Sequence, residues 1–259
     1  MGAAGRMGRA TLAAIAARPD CQLAAALVRP RADVHDALDA AAGVFDAPPP
    51  TPVPEHLDDS LVLDVLVDFS GAAGFDHALA ACVARGIPLV SGSTGLSPAQ
   101  FEAARLASGR IAVLWASNFS LGVALLDRLV GVAAAALGPE FDAEIVECHH
   151  RDKLDAPSGT ALTLGRTIAA ARGQDFEAVA QFARHGATGA RPEGGIGFAV
   201  LRAADVVGEH SVLFATAGER LELSHRATDR AIFARGAVAA ARWIVGRPAG
   251  WYSLGDVLG

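Results

Sequence analysis

The chain has 259 residues, enough for a substantial core in one large or two modest domains. Hydrophobic residues make up 52% and charged residues 19%, which excludes a disordered chain, and the net charge of −6 argues against nucleic acid as the main partner. Asp127 and Arg128 break the longest apolar run, over residues 121–137, so no membrane span is expected and the chain reads as soluble.

Gly2, Gly5 and Gly8 form G-x-x-G-x-x-G at the opening of a helix expected over 6–18, and an apolar strand is expected over 23–28. This is a dinucleotide-binding pattern, in which small residues let a pyrophosphate approach the backbone at a helix N-terminus. Its candidate contacts are Gly2, Ala3, Ala4, Gly5, Arg6 and Met7; an Ala/Gly-rich helix start with no ligand is the plainer alternative. The first nineteen residues lack acids and carry arginines, as targeting leaders do, but the glycine loop lies inside them and we read them as part of the fold. A dinucleotide fold sets this loop after its first strand, in the middle of the sheet, whereas Gly2 directly follows Met1. The first strand is therefore expected to be missing, with Met1 standing where its last apolar residue belongs and the true start lying upstream.

The second strand of such a fold ordinarily ends in an acid that holds the cofactor ribose. That place is taken by Val28, followed by Arg29 and Arg31. Arg29 suits a 2′-phosphate, so NADPH is the expected cofactor, with NADH possible; a solvated loop arginine is the alternative. Pro48-Pro-Pro-Thr-Pro-Val-Pro54 reads as a stiff exposed connector without chemistry. Strands over 63–69, 87–91 and 111–115 then alternate with helices over 72–85 and 98–107, which predicts a doubly wound parallel sheet of Rossmann type. Ligands bind beyond the carboxyl ends of such strands, where Gly92, Ser93, Thr94 and Ala116, Ser117, Asn118, Phe119 stand. Asn118 is the only asparagine in the chain.

A long Ala/Leu helix to residue 137 leads to a strand over 142–148 and a helix over 158–171. The connection between them, within Glu147-Cys-His-His-Arg-Asp-Lys-Leu-Asp-Ala-Pro-Ser-Gly-Thr-Ala161, concentrates acid/base groups and an anion-binding turn. Pro157 suits a helix entry, Ser158 an N-cap, and Gly159 a close approach to the backbone, leaving amide hydrogens for an anion. His149 and Lys153 are four apart, so an extended path or a single turn can bring them to one side. Histidine titrates near neutrality, and a lysine that is desolvated or close to other cations has its proton loosened, so the pair can deliver protons. A solvated charged loop is the bland alternative. Of the 22 basic residues 21 are arginine, and Lys153 is the sole lysine; arginine cannot supply a proton at neutral pH.

Cys148 beside His149 and His150 invites a metal reading, but neighbouring strand residues face opposite ways and no second ligand pair follows, so no metal is expected. Three widely spaced cysteines, Cys21, Cys82 and Cys148, form no disulfide framework and fit a reducing, cytoplasmic compartment. Strands over 196–201, 206–216 and 220–227 follow without intervening helices, which predicts a second, α+β domain with an open mixed sheet. An amphipathic helix over 231–245 closes the chain.

The 147–161 block resembles the signature of the 4-hydroxy-tetrahydrodipicolinate reductases, also called dihydrodipicolinate reductases. The resemblance extends along the chain through Gly2-Ala-Ala-Gly-Arg-Met-Gly8, Val67-Asp-Phe-Ser70, Gly92-Ser-Thr-Gly95, Asn118-Phe-Ser120, Gly208-Glu-His210 and Gly218-Glu-Arg-Leu-Glu222. It implies NAD(P)H-dependent reduction of a cyclic dicarboxylate imine in diaminopimelate and lysine biosynthesis. It further implies His149 and Lys153 as proton donors, and His150, Lys153, Ser158, Gly159 and Thr160 as substrate contacts. The implied organisation is a nucleotide domain of residues 1–119 and 231–259, a substrate and oligomerisation domain of 120–230, and a homotetramer. Val28 in place of the acid departs from the family's dual cofactor pattern. Another NAD(P)-dependent oxo-acid or imine dehydrogenase, or a non-catalytic nucleotide-binding relative, are the readings left beside it.

Overall fold

The computed structural model describes residues 1–28, 53–54 and 61–259, and divides them into two compact units, Met1–Leu121 with Ala231–Gly259, and Gly122–Arg230. Arg29, Arg31 and most of the proline-rich segment lie outside the described residues.

In the first unit the elements are α1 (Arg6–Ala16), β1 (Leu27–Val28), β2 (Val53–Pro54), β3 (Leu66–Asp68), α2 (Ala72–Arg85), β4 (Leu89–Ser91), α3 (Pro98–Ala107) and β5 (Ala112–Trp115). β3, β4 and β5 are parallel neighbours, and burial of Leu89, Val90, Val113 and Leu114 on both faces explains their continuous apolar runs. Helix α3 begins on a capping box, Ser97 with Gln100, and Pro98 in its first turn; α2 stops at Gly86, whose φ of 67° suits glycine. The proline-rich connector holds a short strand after all: Val53–Pro54 pairs with Leu27–Val28. A proline has no N–H to give, so it belongs on a sheet margin such as this one.

Two expected strands are shorter than their apolar runs, 27–28 instead of 23–28 and 66–68 instead of 63–69. Between them stands Met1. Its amine donates to the Val67 carbonyl, its carbonyl accepts from Phe69 N–H, and Ala3 N–H donates to the Leu27 carbonyl. Beside Met1 is a cavity of about 400 Å³ whose lining includes Leu12, Leu23, Leu27, Leu63, Val65 and Val238. Among the described residues no strand crosses this place, so the two-stranded pair β1-β2 and the four-stranded sheet remain separate, and 23–26 and 63–65 have no ladder to join.

In the second unit α4 (Leu121–Leu137, all but its first residue) and α5 (Gly159–Ala171) cover one face of a sheet. The sheet has the order β10-β9-β6-β8-β7, from β6 (Asp142–His149), β7 (Ala180–Gln181), β8 (Ile196–Arg202), β9 (Gly208–Thr216) and β10 (Glu219–Ala227). It is mixed, as expected: β6 runs parallel to β8 and antiparallel to β9. Leu126, Val130 and Ala134 on α4, and Ala161, Leu164 and Ile168 on α5, recur every three or four residues and meet Ala143, Ile145, Ile196, Phe198, Val212 and Phe214. A short helix, α6 (Phe176–Val179), and edge strand β7 had no clear sequence signal. Back in the first unit, α7 (Ala231–Ile244) packs so closely that a Cβ on Gly236 would fall 1.7 Å from the Phe119 carbonyl oxygen, and β11 (Gly250–Tyr252) extends the parallel sheet beside β5.

Candidate active site

Strand alternation places Ala143, Ile145, Glu147 and His149 on the helix-covered face of β6. The register sets Glu147 opposite His210 on β9, and His149 opposite Arg202 on β8. Cys148 belongs to the opposite face, opposite Leu201 and Glu209. After His149 the chain turns: Lys153 N–H donates to the His150 carbonyl. The His149 carbonyl accepts from Ala203 N–H, and Arg151 N–H donates to Ala204, a non-glycine residue held at φ 42°. The turn, rather than an extended path, therefore carries Lys153 back toward the strand. Pro157 leads into α5, and Ser158 caps it, its hydroxyl accepting from Ala161 N–H.

Glu147, 1% exposed, is the hub of this unit. Its Oε2 lies 2.5 Å from His149 Nδ1, its Oε1 accepts from Ser158 N–H at 3.1 Å, and Arg202 donates to both oxygens at 3.0 and 3.1 Å. Arg202 also donates to the Asp155 carbonyl. Burial, the largest single influence, raises the Glu147 pKa, but Arg202, His149 and the Ser158 amide together hold it below the ordinary glutamate value. His149 is pushed below the usual histidine range by burial first; Glu147 opposes that, and the charges of Lys153 and Arg202 add to it. His210 is buried, contacts Ser158 Oγ through Nε2 at 3.0 Å, and is lowered to about 4, chiefly by burial and then by His149. Lys153 Nζ contacts both oxygens of Asp155, at 2.7 and 2.8 Å, and the Asp155 carboxyl is held low by that lysine. A Cβ on Gly208 would sit 3.0 Å from His149 Nε2, so glycine there leaves the imidazole its room.

The structure thus gathers His149, Lys153, Ser158, Gly159 and Thr160 around one short connection, with His150 in its turn. Glu147, Arg202 and His210 complete it, and sequence reasoning gave none of them a role. Glu147 was within reach of that reasoning, since a carboxylate two residues from a histidine on a strand shares its face.

In the other unit, Gly2 (φ 78°) could not carry a side chain, because a Cβ would lie 2.6 Å from the Phe69 carbonyl oxygen; at Gly8 it would lie 2.2 Å from that of Gly2. The glycines fold the 2–8 turn tightly against β3 and put Gly5 at the N-cap of α1. Thr94 and Ser117 are exposed, Ala116 is half-buried, and Asn118 accepts from Ser120 N–H through its side chain. Ser93 and Phe119 are committed elsewhere. The Ser93 hydroxyl donates to Asp68, which is fully buried and also accepts from Ser70 and Ser91; Phe119 packs edge-on against Phe69 beside Gly92. Asp68 therefore fixes the ends of β3 and β4, a role not foreseen. No helix among the described residues is long and apolar enough to cross a membrane.

Residues 1–119 match the family model described as dihydrodipicolinate reductase, N-terminus, and residues 122–258 that described as dihydrodipicolinate reductase, C-terminus. A 4-hydroxy-tetrahydrodipicolinate reductase of Thiobacillus denitrificans is 46% identical over 264 residues, covering 100% of this chain and 96% of its own. One from Pseudomonas fluorescens is 46% identical over 262 residues, with 100% and 97% covered. Among solved structures, a dipicolinate-bound dihydrodipicolinate reductase from Paenisporosarcina sp. TG-14 superposes with a TM-score of 0.73 at 25% identity, covering 97% of this chain and 95% of that one. The NAD complex of GenD2 from gentamicin A biosynthesis, at 14% identity and a TM-score of 0.58 over 98% of this chain and 88% of its own, shares the fold.

Proposed function

Since the chain belongs to the dihydrodipicolinate reductase family, we propose that the β6–α5 connection is the place where it performs that family's reaction. The protein is a nicotinamide-dependent oxidoreductase of diaminopimelate and lysine biosynthesis that reduces 4-hydroxy-tetrahydrodipicolinate to tetrahydrodipicolinate. The observation that carries the assignment of the site is the joining of His149 and the Ser158 amide on a single buried carboxylate, with Lys153 in the turn between them.

In this reading His149 holds a transferable proton at Nε2 and Lys153 a second at Nζ. His150, Gly159 and Thr160 bind the substrate carboxylates, aided by the positive end of α5. Ser158, expected as a further contact, is buried with its amide on Glu147 and its hydroxyl on Ala161 N–H and His210, and so holds the helix entrance instead. Residues 122–230 are accordingly the substrate-binding unit, and 1–121 with 231–259 the nucleotide-binding one.

The 2–8 turn suits a dinucleotide, because its glycines close it under the N-terminus of α1 where a pyrophosphate is best received. When bound, the dinucleotide supplies the hydride. Gly2, Ala3, Ala4, Gly5, Arg6 and Met7, with Gly92, Thr94, Ala116, Ser117 and Asn118, are the residues to hold it, and Ser93 and Phe119 would join through their backbone. Arg29 is assigned to the 2′-phosphate, which makes NADPH the preferred cofactor. Val146 and Leu201 are exposed on the sheet face away from the helices, an apolar surface that supports assembly into a homotetramer. The cytoplasm is the compartment of such an enzyme.

The test is to generate the substrate from pyruvate and aspartate semialdehyde with the upstream synthase and to follow nucleotide absorbance. Oxidation of NADPH, faster than of NADH and dependent on every component, is expected. No oxidation of either nucleotide would refute the reading, and turnover with other oxo acids alone would favour a different dehydrogenase. Light scattering on the eluting protein checks the tetramer.

A further inference from the structure

We propose that Glu147 is a positioning residue that joins the proton donor to the substrate-binding turn, one oxygen holding His149 and the other holding the Ser158 amide at the entrance of α5. The inference rests on the reading of His149 as a proton donor. Its geometry is that of a buried carboxylate with every contact assigned: Oε2 to His149 Nδ1 at 2.5 Å, Oε1 to Ser158 N–H at 3.1 Å, and both oxygens to Arg202.

The ionised carboxylate only accepts hydrogen bonds. His149 must therefore carry its proton on Nδ1, which leaves Nε2, on the side of Gly208, as the atom that gains and loses the working proton. The charged groups facing His149 come from four elements. Glu147 on its own strand favours the imidazolium; Arg202 on β8 and Lys153 in the turn disfavour it; His210 on β9 meets it ring to ring at 5.1 Å and stays neutral at physiological pH; Asp155 is taken up by Lys153. Glu147 is thus the one group in this set that counters burial and two cations. Remove its charge and His149 is protonated only in more acid solution. Because Ser158 hangs on the same carboxylate, movement of the imidazole and movement of the anion-binding turn are coupled.

Glu147→Gln keeps the shape and an acceptor oxygen but removes the charge. Arg202→Met removes a cation that opposes the imidazolium and frees the carboxylate for His149. The two substitutions should move His149 in opposite directions, which a merely structural role would not do. In protein labelled with ¹⁵N-histidine, with the His149 resonance assigned by its absence in His149→Asn, the Glu147→Gln imidazole pKa should fall by about one unit or more and that of Arg202→Met should rise. The alkaline limb of the kcat/KM profile, where a proton donor is lost, should move toward acid with it, so that Glu147→Gln loses about tenfold or more at pH 7.5 and regains much of it in acid. If Glu147→Gln does not fold, the Arg202→Met shift alone decides. An unmoved His149 pKa, or equal loss of rate at every pH, overturns the inference. A moved pKa with an unmoved rate profile upholds the positioning and instead refutes His149 as the proton donor.

Discussion

His210 gives the sharpest quantitative expectation. Its ring is 3% exposed, its Nδ1 has no hydrogen-bond partner among the described residues, and burial lowers its pKa from 6.5 to about 4. The folded protein therefore resists protonating a side chain that the unfolded chain protonates readily below about pH 6.5. The sign follows: stability is complete above pH 6.5, falls as the pH drops from 6.5 toward 4, and changes no further on account of His210 below that. At about 1.4 kcal/mol per pH unit the gap is worth roughly 3 kcal/mol, a sizeable part of the 5–15 kcal/mol that holds an ordinary domain. Asn at this position cannot titrate and can still reach toward Ser158 with its amide. Urea unfolding of wild type and His210→Asn at half-unit steps from pH 7.5 to 4.5 should show the wild type losing about 1.4 kcal/mol per unit more than the variant between pH 6 and 4.5. His149, also lowered, contributes to both curves, so the difference between them isolates His210. Parallel curves would refute the reasoning and mean that water reaches this ring.

Lys153→Arg keeps the cation against Asp155 but removes a donatable proton, so kcat should fall by about 100-fold or more while KM changes little; near wild-type turnover in steady-state kinetics would leave Lys153 a binding cation only. Arg29→Ala should weaken NADPH by about 1.5–3 kcal/mol in a fluorescence titration and leave NADH nearly unchanged. Gly2→Ala places a side chain at φ 78° and 2.6 Å from the Phe69 carbonyl, so it should lose at least about 1–2 kcal/mol of thermal stability and bind both nucleotides more weakly; a variant matching wild type in both would show that the turn is not a tight cradle.

The glycine turn, the N-cap at Ser158, the parallel alternation up to β5 and the strand-to-helix connection at 147–160 were legible in the chain because each depends on residues within one or two turns of one another. A cap is set by its own next three residues, and a glycine at positive φ by its own backbone. Tertiary structure decided the rest for an equally physical reason. Arg202 and His210 reach Glu147 and Ser158 across 55 and 52 residues of sequence, through strand registers that no local pattern encodes. Ser93 and Phe119 sat correctly at strand ends, yet only the fold revealed that Asp68 and Phe69 already claim their side chains. Strand length was the least legible property of all: 23–26 are as apolar as their neighbours, but a strand exists only where another backbone lies alongside to complete its hydrogen bonds.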